Sequence, residues 1–341
     1  MKYLRHTYCL LSLIIVGANE SNGQQRPQYT QYVFNNYLLN PALSGTENSV
    51  DIKLGHRMQW SGLKDAPQTS FVSAHWSLGS DYLWQNPLSL PRESDNPMSK
   101  SYMRHYTSSP AHHGVGVMAV SDRTGPISRI DAGMSYAYHL QLSGTNNLSI
   151  GTYIGLSRIS LDENALDLET DGDPALSDVL ATQFKPDASI GVWLYGARFF
   201  AGLSVQQVIP QVLAFTKSSN YKQGKTVPHF FATSGYKLFL DEEISLIPSF
   251  MLKGVSNLPL SVDLNVKLSY KDQIWIGGSY RKSDSFSGMV GFNLKRFVNL
   301  TYAYDQTTSI LNRVSNGTHE IVLGIQIDGA YQVFSGGRTW R

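Results

Sequence analysis

Few side chains in this sequence are spaced for chemistry. His112 and His113 stand next to each other. On a strand, neighbours point to opposite faces, so this pair does not readily share a metal and reads as polar residues at an interface. Residues 162–187 are rich in Asp and Glu, with Asp171-Gly172-Asp173 at the centre and Lys185 as the lone cation. Carboxylates suit a hard cation such as calcium, but the EF-hand spacing with its late Glu is missing, so the stretch reads as a solvated acidic loop. No G-x-S-x-G elbow, H-E-x-x-H pair or phosphate-binding P-loop occurs. Cys9 is the only cysteine, which leaves no disulfide framework and no thiolate metal site. Scattered Ser, His and Asn leave a membrane phospholipase open on residue types alone, with nothing local to mark one. The reading is a protein without catalytic residues, metal or cofactor.

The chemistry that is patterned lies elsewhere. Asp263, Asn265 and Lys267 fall at alternate positions, with Leu264, Val266 and Leu268 between them. Side chains on a strand alternate between faces, so one face is apolar and the other polar. A helix would scatter the same residues around its circumference. Lys271-Asp272 makes a tight turn, and residues 273–281 run back as the second half of a long amphipathic hairpin. Asp263, Asn265 and Lys267 are assigned to a wet lumen, and Leu264 to lipid.

Most of the chain repeats this unit. Strands are expected at about 50–60, 69–78, 114–121, 127–142, 148–161, 189–195, 198–208, 228–240 and 244–252, then the hairpin, then 286–294, 298–304 and 320–328. That makes about fourteen, an even number, as single-chain bacterial barrels have. From Gly144 onward, short connections alternate with long ones, which places the tight turns and both chain ends on the periplasmic side. Residues 79–110 break that alternation and read as an inserted loop.

Lys2 and Arg5 precede a short apolar run, and Ser21-Asn22-Gly23 supplies small residues at a cleavage site. Residues 1–23 therefore read as a secretory signal, too short and wrongly flanked for a membrane helix. No later stretch approaches eighteen consecutive apolar residues, which excludes a helical membrane protein. Charged residues make up 16% of the chain, against roughly 25% in soluble domains. The net charge of +2 gives no electrostatic case for nucleic acid. The fold expected is all-β, a transmembrane antiparallel barrel of outer-membrane type over residues 47–328, facing lipid, with a tail at 329–341.

Ahead of the first strand, residues 24–46 carry Tyr29, Tyr32, Phe34, Tyr37 and Leu39. So apolar a segment packs in the mouth or lumen, or holds a partner. Tyr29, Tyr32, Phe34, Asn40 and Pro41 are assigned to partner contact, because aromatic rings give large area with few rotors to freeze. Trp60, Trp76, Trp193, Trp275 and Tyr304 are read as interface girdles or barrel packing.

The segment at residues 29–45, Tyr-Thr-Gln-Tyr-Val-Phe-Asn-Asn-Tyr-Leu-Leu-Asn-Pro-Ala-Leu-Ser-Gly, resembles the mature N-terminus of the PorP/SprF family of type IX secretion membrane proteins. So do Arg57-Met58-Gln59-Trp60-Ser61-Gly62, Asp122-Arg123-Thr124-Gly125-Pro126, Ile247-Pro248-Ser249 and His319-Glu320-Ile321. The resemblance implies an outer-membrane barrel serving the secretion and gliding apparatus, paired with other secretion components or with a secreted cargo or adhesin. It carries no catalytic residues. A passive porin is the alternative, since a barrel of this size has a lumen unless something fills it.

Overall fold

Alternation decides which residues pair. In the computed structural model, residues 27–47, 49–78, 100, 106–162, 182–213, 224–256, 258–294 and 298–327 are described. The signal segment, nearly all of the insertion before 106, most of the acidic loop and the tail from 329 lie outside the described residues.

The strands are β1 (Val50–Met58), β2 (Gln68–Leu78), β3 (His112–Thr124), β4 (Ile127–Ser143), β5 (Asn146–Leu161), β6 (Thr182–Gly196) and β7 (Phe199–Gln206). They continue as β8 (Val212–Leu213), β9 (Gly224–Lys225), β10 (His229–Tyr236), β11 (Leu238–Phe239), β12 (Ile244–Val255) and β13 (Ser261–Tyr270). The last are β14 (Ile274–Arg281), β15 (Ser285–Leu294), β16 (Val298–Thr307) and β17 (Thr318–Ile327). β8 and β9 form a small separate hairpin. β11 resumes β10 beyond Lys237 and pairs with β12. The other strands make a closed 14-stranded antiparallel barrel. Two pairings close it: β1 with β17, from Val50↔Ile327 to Met58↔His319, and β10 with β12, starting at His229↔Val255.

This wall is polar inside and apolar outside. On β13, Asp263 is 1% exposed and Leu264 is 51% exposed. Met134 and Ile154, each 72% exposed, stand in an outer apolar band with Leu203, Phe230, Ile276 and Ile321. That pattern is the one seen in membrane β-barrels, which pair their backbone groups within the sheet.

Two-residue geometry explains the β13–β14 turn. Lys271 and Asp272 both have φ near +50° (53 and 52), and Gln273 N–H donates to Tyr270 O at 3.0 Å. Positive φ at both central positions is a type I′ turn, whose twist matches the strands it joins. The Asp272 carboxylate stiffens it by accepting from Ser269 Oγ at 3.1 Å and Lys237 Nζ at 3.0 Å.

Several strand bounds differ from the sequence reading, β3 and β6 most informatively. β3 starts at His112 and reaches Thr124, and β6 starts at Thr182, inside the supposed acidic loop. Polar ends hide the first, His112-His113 and Asp122-Arg123-Thr124, and charge hides the second. Asp187 nonetheless faces the buried side and Phe184 the outside, as alternation requires. The β3–β4 turn is also short, on the side where long loops were expected. β4, β5 and β6 run 17, 16 and 15 residues, against 8 for β7 and β10. One side of the wall therefore stands well above the other.

Candidate functional site: the filled lumen

Residues 27–47 run inside the barrel. They fold into three short 3-10 turns, at Thr30–Val33, Asn36–Leu38 and Pro41–Leu43. The third has a clear local cause. Asn40 caps it, its side-chain oxygen accepting from Ala42 N–H at 3.0 Å, and Pro41 enters the first turn with φ already set.

The segment traverses the lumen lengthwise. Thr30 and Gln31 lie level with Arg57, Asp305 and Glu320, far along β1 from its first residue. Ser44 and Gly45 lie at the opposite end, beside His75, His112 and His139. Of the placements the sequence left open, mouth, lumen or partner, the segment takes the lumen, running from the Arg57 end to the His139 end.

At the far end Arg57 is the hub. Its Nη2 donates to Asp305 Oδ2 at 2.8 Å and its Nη1 to Glu320 Oε2 at 2.7 Å and Thr30 Oγ1 at 2.7 Å. These three charged side chains are 3% exposed or less. Two carboxylates face one guanidinium, and the plug helps balance them. Thr30 N–H and Gln31 N–H donate to Glu320 at 2.9 and 3.1 Å, and Thr30 Oγ1 donates to Asp305 at 2.5 Å.

Midway, Asn40 Nδ2 donates to the carbonyls of Val192 and Leu203 at 3.0 and 3.2 Å. The wall answers. Ser149 Oγ donates to Ala42 O at 2.6 Å, Ser204 Oγ to Leu39 O at 2.7 Å, and Gln206 Nε2 to Leu38 O and Leu39 O at 2.8 and 3.1 Å. At the near end, Nε2 of His139 faces Ser44 O at 2.8 Å and Nε2 of His112 faces Gly45 O at 3.1 Å. A carbonyl only accepts, and the Tyr195 hydroxyl can donate to His139 Nδ1 at 2.9 Å, so Nε2 of His139 carries the proton there; His112 faces a second carbonyl, Pro110 O, with its Nδ1 at 2.9 Å.

Apolar packing fills the rest. Tyr37, Ala42 and Leu43 pack with Trp193, Tyr195 and Phe200. Tyr32, Val33 and Leu39 pack with Phe231 and Met251. Phe34 and Leu38 pack with Phe71 and Val322. The Tyr37 hydroxyl lies 2.6 Å from Ser135 Oγ, and burial pushes its pKa up to about 12. Burial, followed by the charge of Asp263, also raises Tyr32. Both anchors stay neutral at physiological pH. Among the described residues, three of the spaces against the plug measure about 30, 20 and 10 Å³, each with room for isolated waters.

The residues chosen from the sequence can now be placed. Asp263 and Asn265 face the lumen: Asp263 pairs with Arg281 at 2.9 Å, and Asn265 Nδ2 donates to the Tyr32 hydroxyl. Lys267 lies over the Trp275 ring, 4.6 Å from its centroid. Tyr32, Phe34, Asn40 and Pro41 are buried against the barrel's own wall, and Tyr29 is half-buried against Phe71, with ring centroids 5.6 Å apart. In this arrangement the faces of these residues that were assigned to a partner lie against the barrel's own wall. Trp193 and Trp275 are buried lumen residues rather than girdle. His112 points inward and His113 outward, where its Nδ1 meets the Tyr136 hydroxyl at 2.7 Å.

The wall residues that seat the plug were not singled out from the sequence. Ser149, Ser204, Gln206, His139 and Glu320 are ordinary inward positions. The glycines are more telling. A Cβ at Gly114 would lie 1.8 Å from Ser44 O, at Gly151 2.6 Å from Ala42 Cα, and at Gly191 2.0 Å from Asn40 Oδ1. The plug passes where the wall has no side chains.

A family model described as type IX secretion system membrane protein PorP/SprF matches residues 21–325. No curated protein matches. Among solved structures, the chain is similar to the Ralstonia pickettii toluene transporter TbuX at 11% identity and a TM-score of 0.47, covering 85% of this chain and 92% of that one. It is similar to a Pseudomonas aeruginosa FadL homologue at 9% identity and a TM-score of 0.45, covering 90% and 96%. The Acinetobacter baumannii outer membrane protein Omp33 matches at 7% identity and a TM-score of 0.44, covering 83% and 100%.

Proposed function

Since the chain belongs to the PorP/SprF family of type IX secretion system membrane proteins, we propose that it is a non-enzymatic docking component of that apparatus, seated in a bacterial outer membrane. It holds or assists a secreted partner, a cargo or adhesin, at the membrane. It does not conduct small solutes.

The observation that carries this reading is the filled lumen. A passive porin needs a continuous aqueous path, and among the described residues three spaces beside the plug hold about 30 Å³ or less each. Two of the buried inward histidines, His139 and His112, face the carbonyls of Ser44 and Gly45, and a third, His75, accepts from Gly45 N–H. A barrel with its bore stopped in this way is suited to holding something.

Two measurements test it. Planar-bilayer recording of the intact chain is expected to give no steady current; sustained open-channel current would return the porin reading. Affinity capture from native membranes, with the full chain as bait, is expected to bring down secretion components or a secreted protein. Capture of neither would remove the docking role.

A further inference from the structure

The bonds between plug and wall are of an unusual kind for a segment that is already tethered. Many of them address the plug's main chain. Glu320 takes the N–H groups of Thr30 and Gln31. Gln206, Ser204, Ser149, His139 and His112 satisfy the carbonyls of Leu38, Leu39, Ala42, Ser44 and Gly45. Main-chain groups are the same in every polypeptide, so contacts of this kind give affinity without demanding a sequence. Gly114 and Gly151 clear a path for backbone and not for any particular side chain.

A second observation is independent of the first. The plug does not match its seat fully. Asn36 is 3% exposed, yet neither its side-chain oxygen nor its nitrogen finds a protein partner among the described residues, and the side-chain oxygen of Asn35 is also unmet. Buried polar atoms are normally paired, and each one that is not favours leaving. The occupant is therefore one that another chain could displace.

We propose that the lumen is a polypeptide-binding site, that residues 27–45 occupy it in cis, and that an extended segment of another polypeptide takes their place. The ligand class is unstructured main chain, with small residues where it passes Gly114 and Gly151 and an aromatic ring for the pocket of Trp193 and Phe200. The inference rests on the docking reading for the source of that segment, a secreted partner. The site itself stands on the geometry.

The test uses purified barrel with no secretion component present. A chain lacking residues 27–45 is titrated with two labelled synthetic peptides, one copying residues 27–45 and one unrelated in sequence but equal in length. Both are expected to bind, the copy more tightly. The triple variant Ser149→Ala, Ser204→Ala, Gln206→Ala should weaken both by about tenfold or more, because the lost bonds are to main chain. Binding of the copy alone would make the lumen a private seat and overturn the proposal, as would binding of neither. Where the deleted chain does not fold, the full chain carrying Ala42→Cys and Ser149→Cys replaces it. Peptide uptake should then occur after reduction and not in the oxidised, locked form. Equal uptake in both states, or none after reduction, overturns the proposal. A failed peptide assay beside successful partner capture would remove the lumen as the site and leave the docking role standing.

Discussion

Arg57 Nη1 donates to Thr30 Oγ1 across 2.7 Å. The contact joins the first barrel strand to the first turn of the plug, inside a network that also holds Asp305 and Glu320. Arg57→Ala would leave two carboxylates buried without their cation. Removing one partner of a buried pair costs about 3–5 kcal/mol. The expected result is a lower urea midpoint and an engineered cysteine at Thr30 that becomes reactive to a thiol reagent. Unchanged stability together with an unreactive cysteine would show that the network does not anchor the plug.

Two neighbours on β13 should fail for different reasons. Leu264 faces lipid, so Leu264→Arg is expected to cost roughly 2–4 kcal/mol near the midplane. From sequence alone, Asp263→Asn is expected to be nearly neutral. With Arg281 at 2.9 Å and Asp284 a further 3.1 Å partner of that guanidinium, the expectation becomes about 1.5–3 kcal/mol, the worth of a hydrogen bond to a charged group. A double-mutant cycle with Arg281→Met checks the cause. If the cost of Asp263→Asn persists once Arg281→Met has removed the guanidinium, the ion pair is not responsible.

Gly151 is the place to unseat the plug without touching it. A Cβ there would lie 2.6 Å from Ala42. Gly151→Leu should keep the β-type circular dichroism of the barrel while opening a steady conductance that the parent lacks. A silent bilayer would mean that the third turn re-seats around the larger side chain.

Tyr37 makes plug stability depend on pH at the alkaline end. Its folded pKa is raised from 10.0 to about 12. The neutral phenol is therefore favoured in the folded state. Its stabilising contribution is complete below pH 10 and is lost as pH rises through about 12. Plug release, followed by cysteine reactivity at Thr30, should have an alkaline limb in that window. Tyr37→Phe should remove the limb. A limb that survives the substitution belongs to another group.

The membrane fold itself can be checked on gels. A closed barrel resists unfolding until boiled, so heated and unheated samples should migrate differently. A helical spectrum in detergent would contradict every strand described above.

The wall was legible in the sequence because its rule is local. Asp263, Leu264 and Asn265 announce their faces by alternation alone, and fourteen strands follow from counting such runs. β3 and β6 were cut short where that local signal is weak: the polar ends of β3, His112-His113 and Asp122-Arg123-Thr124, have no apolar residues to alternate with, and Lys185 and Asp187 look like loop by charge although they lie on a strand. The plug was legible as a sticky segment, since Tyr32 and Phe34 could not remain in water. Its seat was not. Ser149 and Gln206 meet the plug only because the register of strands far away in the chain brings them there, and register across a closed sheet is not written in any one stretch. Asn40-Pro41 was the one local clue, as a turn cap.

The bond between Gln31 and Glu320 spans 289 positions, and that between Leu38 and Gln206 spans 168. The residues inside the wall thus precede in the chain every strand that encloses them. Such long-range partners make for slow assembly. They also give the sheet a mandrel. β5, β6 and β7 can be laid against Asn40 and Ala42 before β17 arrives to complete the circle, and the final seam between β1 and β17 then closes over Thr30 and Gln31. The last strand in the chain therefore supplies partners to the first residues inside the wall.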